Sequence, residues 1–182
     1  MSGSSTGRFR TVERAALNSE CGTWQYWLSR QWGPRTALVF VMLNPSIADE
    51  YVDDPTVVRC MSFAAREGFE GILLLNLYAY ITAYPAQLLV CGDPVGPQND
   101  THLRRTLTEQ VQRGTPVVAG WGANAERNQV AQRVAQVLSL VPGVDWRCLG
   151  FTKNGHPRHP QRLPGDTPLV PLDVSAAVRS QT

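Results

Sequence analysis
The sequence predicts an α/β fold of three layers, with a mostly parallel four-stranded central sheet and an N-terminal antiparallel edge strand. Three observations carry this. Apolar runs of strand length recur at 36–43, 71–75, 116–119 and 145–149. Between them lie segments whose apolar residues are spaced for one face of a helix. Each run then gives way to polar, turn-forming residues. Strand and helix in alternation imply parallel strands joined by right-handed crossovers.

The elements follow in order. Over 22–30, Trp24, Tyr26 and Leu28 alternate with Gln25, Trp27 and Ser29, the period-two signature of a strand. Gly33-Pro34 is a turn, and 36–43 is a strand buried on both faces. These two strands are expected to pair as an antiparallel edge hairpin. Asp53 or Asp54 can cap a helix that Pro55 begins, with Val57, Met61 and Ala65 on its apolar face and Gly68 at its end. The strand 71–75 stops at Asn76. Asn99 or Asp100 caps a second helix marked by Leu103, Leu107 and Val111, and Gly114 ends it. After the strand 116–119 comes a longer helix over 123–141, with Val130, Val134, Leu138 and Val141 on one face, and Pro142-Gly143 breaks it. The strand 145–149 precedes a loop rich in proline and arginine that returns to the sheet near 168–172. Residues 1–7, small and polar, are expected to be a disordered leader, 8–174 a single domain and 175–182 a tail.

A chain of 182 residues suits one domain with its own core. No apolar run approaches the ~20 residues of a membrane span, and no membrane partner is expected. The net charge is only +2, so total charge does not announce a nucleic-acid binder. Lys153 is the only lysine among the cations. Arginine favours phosphate and carboxylate contacts, and equally reflects a GC-rich coding sequence. Cys21, Cys60, Cys91 and Cys148 form no CxxC pair, which argues against a zinc ribbon or iron–sulfur cluster. Cys60 and Cys148 fall in apolar contexts and are expected to be buried thiols in a reducing, cytoplasmic compartment.

In open α/β sheets ligands bind beyond the carboxyl ends of the strands, so the strand exits are the place to look. The first carries Asn44-Pro45-Ser46, then Asp49, Asp53 and Asp54; the second carries Asn76-Leu77-Tyr78. The third carries Gly120-Trp121-Gly122-Ala123-Asn124, and the fourth runs from Lys153 through His156-Pro157-Arg158-His159-Pro160. Each has a structural reading as well. Asn44 and Asn76 can cap turns, Gly120 and Gly122 can ease a strand-to-helix turn, and Asp53 and Asp54 can cap a helix. His102 reads as a solvated surface histidine. The two prolines beside His156 and His159 fix both imidazoles, which suits hydrogen-bond donation to a developing anion better than metal binding.

Taken together and in order, these exits resemble the uracil-DNA glycosylase superfamily. There the first strand ends in Gly-x-[Asp/Asn]-Pro-[Gly/Tyr]; here it reads Met42-Leu43-Asn44-Pro45-Ser46. The aliphatic strand ending in a base-reading asparagine is matched by Ile72-Leu73-Leu74-Leu75-Asn76, and the Trp-Gly turn by Trp121-Gly122-Ala123. The histidine loop is matched by His156-Pro157 or His159-Pro160, followed by Leu163-Pro164. More closely, the chain resembles a small family of bacterial and phage proteins. That likeness rests on Met42 to Ser46, Asp53-Asp54-Pro55-Thr56, Arg59-Cys60, Asp93 to Asp100, Trp121-Gly122 and Lys153 to Pro160. Asn44 stands where the most active glycosylases carry aspartate, and Ser46 replaces glycine or tyrosine.

The resemblance implies a DNA glycosylase-like enzyme that hydrolyses the N-glycosidic bond of a flipped base, modified bases included, in DNA repair or phage defence. It implies a monomer acting on single- or double-stranded DNA without metal or cofactor. Asn44 positions a water, and His159 or His156 hydrogen-bonds the departing base. Asn76 reads the base edge, Tyr78 or Phe63 stacks on the base, and Trp121, Ser46 and Asp54 complete the substrate site. Lys153, Arg158 and Arg162 hold phosphates, with Leu163 where the superfamily's loop enters the duplex. Two alternatives stay open: a hydrolase or transferase of free nucleotides, and a non-catalytic nucleic-acid- or protein-binding module.

Overall fold
The computed structural model describes residues 12–46, 51–126 and 128–175. The leader over 1–7, Asp49, and the tail beyond Ser175 lie outside the described residues. The chain is an α/β protein built on one seven-stranded sheet. Its strands are β1 (Glu13–Asn18), β2 (Gln25–Gln31), β3 (Ala37–Met42), β4 (Gly71–Asn76), β5 (Val117–Ala119), β6 (Trp146–Cys148) and β7 (Val170–Pro171). The helices are α1 (Pro55–Arg66), α2 (Asn99–Arg113) and α3 (Asn128–Leu138). The sheet order is β1-β2-β4-β3-β5-β6-β7. Pairings β4–β3, β3–β5 and β5–β6 are parallel, and the outer strands pair antiparallel.

The sheet is therefore wider than four strands and one edge. β1 was not expected, because Glu13–Asn18 has no clean alternation of apolar and polar residues. The expected hairpin of β2 with β3 does not form: β4 lies between them, antiparallel to β2 and parallel to β3. The connection through Gly33-Pro34 straddles the start of β4 instead. Trp32 N donates to Glu70 O at 2.8 Å, and Arg35 N to the Glu70 carboxylate at 2.9 Å. Gly71 has no side chain because a Cβ there would collide with the Gln31 amide. The return near 168–172 is present as β7 on β6.

The helices divide between the faces as right-handed crossovers demand. From β3 the chain moves one way to β4, with α1 on one face. It then reverses, passes β3 to reach β5 and continues to β6, so α2 and α3 lie on the other face. α1 packs Val57, Cys60, Phe63 and Ala64 against Leu38, Phe40 and Ile72. α2 and α3 pack Leu103, Leu107, Val130, Val134 and Val137 against Val39, Val41 and Val117.

Asp54 caps α1: its Oδ1 accepts from Val57 N at 2.8 Å, and Pro55 opens the first turn. α2 begins at the first of its two expected caps, with Gln98 at the cap position and Asn99 already helical. α3 is shorter than the expected 123–141, because Ala123–Glu126 forms a 3-10 turn first. Cys60 and Cys148 are buried and free, and burial raises both thiol pKa values. His102 is half-buried rather than solvated, its ring stacked on Tyr26 at 5.2 Å, and burial followed by the Arg105 charge lowers its pKa. Among the described residues no helix is long and apolar enough to cross a membrane.

Candidate functional site
A cavity of about 270 Å³ opens at the carboxyl ends of β3, β4 and β5, on the α1 side. It lies just below the ~300–1,000 Å³ of typical ligand pockets, which suits one ring-sized group. Asn44, Ser46, Asp54, Asn76, Trp121 and His159 all line it. Six residues singled out from the sequence thus come from four strand exits to one place. Asn124, from the third exit, and Thr56, from the Asp53-to-Thr56 motif, line it as well, and so do Gln25, Thr82 and Gln161, which were not foreseen. The signal for Gln25 was topological: β2 runs antiparallel to β4, so the start of β2 lies beside the end of β4.

Each polar group is held for a reason. The Asn44 amide nitrogen donates to Pro45 O at 2.8 Å and to Thr82 O at 2.7 Å. Two carbonyls can only accept, so the atom between them is the nitrogen. Among the described residues no group donates to the side-chain oxygen of Asn44. Thr82 is fixed in turn, its N–H donating to Pro45 O at 3.0 Å. Asn76 is 5% exposed, and its side-chain amide bonds to no other described residue. A buried amide of this kind costs free energy unless something satisfies it, and its setting is the cavity.

The backbone around Asn76 is clamped from behind. The buried Asn99 amide donates to Asn76 O at 3.1 Å and Leu77 O at 3.2 Å. Arg133 Nε donates to Leu77 O at 2.8 Å, while its guanidinium pairs with Asp100. The Asp93-to-Asp100 motif is thereby explained: it fixes the exit of β4. Its Gly96 N donates to Asp93 Oδ1 at 2.9 Å, and Gly96 packs where a Cβ would strike the Trp24 ring.

The histidine loop reaches the cavity through Gly122, which has φ of 76°. Gly122 N donates to Pro157 O at 3.1 Å, and a Cβ at Gly122 would sit 3.2 Å from that of His159. His159 Nδ1 accepts from Gln161 N at 3.3 Å, so the neutral ring carries its proton on Nε2. Burial lowers the His159 pKa, and the Asp54 charge opposes that shift only in part. The ring is therefore a neutral N–H donor near neutrality. His156 does not line the cavity; its backbone closes a turn with Thr152.

The two adjacent aspartates have separate tasks. Asp53 accepts from Arg14 twice at 2.8 Å and from Arg30 Nε at 2.7 Å. Arg30 is fully buried in β2. Burial pushes the Asp53 carboxyl up, but the hydrogen bonds and charges of Arg14 and Arg30 outweigh it and the pKa falls. Asp54 caps α1 and faces the cavity, with Ser46 Oγ donating to its Oδ2 at 3.0 Å.

Three expectations need correction. Phe63 lies in the core beneath the Arg59 and Arg66 guanidiniums, at 5.1 and 5.0 Å, because its position on α1 faces the sheet. Tyr78 turns to the α2–α3 face, where its hydroxyl donates to Gln129 O at 3.3 Å. Neither can stack on a group in the cavity. Leu163 is buried against α1, and Arg59 donates to its carbonyl, so it does not project toward a duplex. Lys153, Arg158 and Arg162 are exposed, and their side chains bond to no other described residue. Among the described residues no three His, Cys, Asp or Glu side chains are grouped to hold a metal ion.

Fold and site together define an α/β protein with an amide-rich cavity at its strand exits. The chain belongs to the family described as "Protein of unknown function (DUF1643)", which matches residues 25–161. No curated protein and no solved structure matches the chain.

Proposed function
We propose that the protein is a DNA glycosylase-like hydrolase, with a fold of the uracil-DNA glycosylase kind, that cleaves the N-glycosidic bond of a base swung out of the helix. The observation that carries this reading is the convergence of Asn44, Asn76, Trp121 and His159 on one cavity.

The chemistry of each group supports it. Such cleavage passes through an oxocarbenium-like state and needs a placed water, base recognition and relief of charge on the leaving group. The Asn44 side-chain oxygen, which accepts from no described residue, can hold the water, a positioning contribution. The Asn76 amide offers a donor and an acceptor to a base edge. His159 can donate Nε2–H to the base oxygen that gathers negative charge, a kind of contact whose loss typically costs ~3–4 kcal/mol of barrier. Trp121 supplies an apolar wall. Among the described lining residues there is no cationic side chain, which favours phosphate outside the cavity. Lys153, Arg158 and Arg162, exposed on the segment that carries His159, would hold that phosphate.

Asn44 in place of aspartate favours a second reading, a nucleic-acid-binding module without chemistry. Incubation with oligonucleotides carrying uracil, mismatches or hypermodified bases, followed by alkaline cleavage at abasic sites, separates the two. Abasic sites support the enzyme; binding with intact bases throughout supports the module.

A further inference from the structure
Asp54 and Ser46 line the cavity without a task in the glycosidic reading. Among the described lining residues Asp54 alone carries a formal charge. Its orientation is fixed twice, by the cap to Val57 N at 2.8 Å and by the Ser46 hydroxyl at 3.0 Å. Ser46 lines the cavity as well. The Asn76 amide, 5% exposed and bonded to no other described residue, opens on the same space, so a ligand there would meet both. The Asp54 charge is also felt at His159, where it favours the protonated ring against burial.

The proposed reaction has a need that these groups meet. Hydrolysis must remove a proton from the attacking water and must tolerate positive charge on the sugar. The Asn44 oxygen orients water but is not a base. A carboxylate can serve as a general base while the bond to water forms, and it also attracts a cation.

We propose that Ser46 and Asp54 form the proton-accepting arm of the site, with the Asp54 carboxylate as the charge that faces the reacting sugar. This rests on the glycosidic reading. The water oxygen held by Asn44 bonds to the anomeric carbon as the carbon–nitrogen bond breaks. The electron pair of that bond leaves with the base, whose oxygen receives the His159 hydrogen bond. The water's proton passes to Ser46 Oγ while the Ser46 proton passes to Asp54 Oδ2. The departed base takes a proton from solvent and Asp54 releases one, so the net change is one water added across the bond.

The test uses two oligonucleotides that differ only at an abasic position, which carries a cationic pyrrolidine or a neutral tetrahydrofuran ring. The wild type is expected to bind the pyrrolidine form about tenfold or more tightly than the neutral one. Asp54→Asn keeps a capping side chain and removes the charge, so it should lose that preference while its melting temperature holds. Ser46→Ala should keep the preference and slow single-turnover base release by about tenfold or more. Equal wild-type affinity for the two rings, or a preference retained in Asp54→Asn, overturns the role of Asp54 and leaves the glycosidic reading standing. An unchanged rate in Ser46→Ala overturns the relay. Binding to neither ring, or no base release from any oligonucleotide, defeats the glycosidic reading and this inference with it.

Discussion

Asp53→Ala probes how the edge of the sheet holds the segment that delivers Asp54 to the cavity. The lost carboxylate binds Arg14 and Arg30. The Arg14 side chain is 36% exposed, so its share is ~0–1 kcal/mol. Arg30 is 0% exposed and cannot return to water without opening β2. Removing one partner of a buried pair costs about 3–5 kcal/mol. Arg30 keeps its bonds to the carbonyls of Ser29 and Val52, which argues for the lower end, about 3 kcal/mol. At this chain length each kcal/mol moves the melting temperature by ~2–4 °C, so calorimetry should show a fall of about 6–12 °C. Arg14→Ala should fall by no more than about 4 °C. The dependence on pH has a definite sign. The folded pKa of Asp53 lies below its ordinary value. Its stabilisation is therefore complete above the ordinary carboxylate range and is lost as pH falls through that range toward the folded value. Wild type and Asp53→Ala should converge in stability on acidification. An Asp53→Ala protein that melts with wild type at neutral pH would refute the reasoning.

Three further outcomes follow from the site. Gly122→Ala should cost about 1–2 kcal/mol for the left-handed backbone and push His159 away, lowering both melting temperature and base-release rate; no change in either would show that the close approach is not needed. Asn99→Ala strips the amide from the carbonyls of Asn76 and Leu77 and should cost about 1–3 kcal/mol by chemical denaturation; a neutral result would discount the clamp. Arg158→Ala and Arg162→Ala should each weaken DNA binding across sequences and lower the salt slope by about one; an effect confined to one sequence would argue against phosphate contacts.

Much of this was legible in the sequence because the central strands are continuous apolar runs and the helices carry clear caps and faces. The carboxyl-end rule then located Asn44, Asn76 and Trp121. What the sequence hid was set by packing partners far along the chain. Gly33-Pro34 looks like a hairpin turn, yet β4 pairs with both flanking strands, and that also concealed Gln25. Asp53 and Asp54 are equal as caps on paper; the buried Arg30, from a different strand, claims the first and leaves the second for the cavity. His156 and His159 share the same proline context; the turn that His156 closes with Thr152 and the close approach of Gly122 to His159 distinguish them. Tyr78 sits beside the exit of β4 in sequence and Phe63 lies within α1, but their side chains point into opposite halves of the core.

Single-turnover base release and equilibrium binding, measured on one oligonucleotide for wild type, His159→Ala and His156→Ala, test the central claim most directly. His159→Ala should slow release by about 10²–10³-fold with little change in affinity, and His156→Ala should behave as wild type. Equal loss of affinity in both variants with no separate effect on rate, or no release by the wild type from any base offered, would contradict the account.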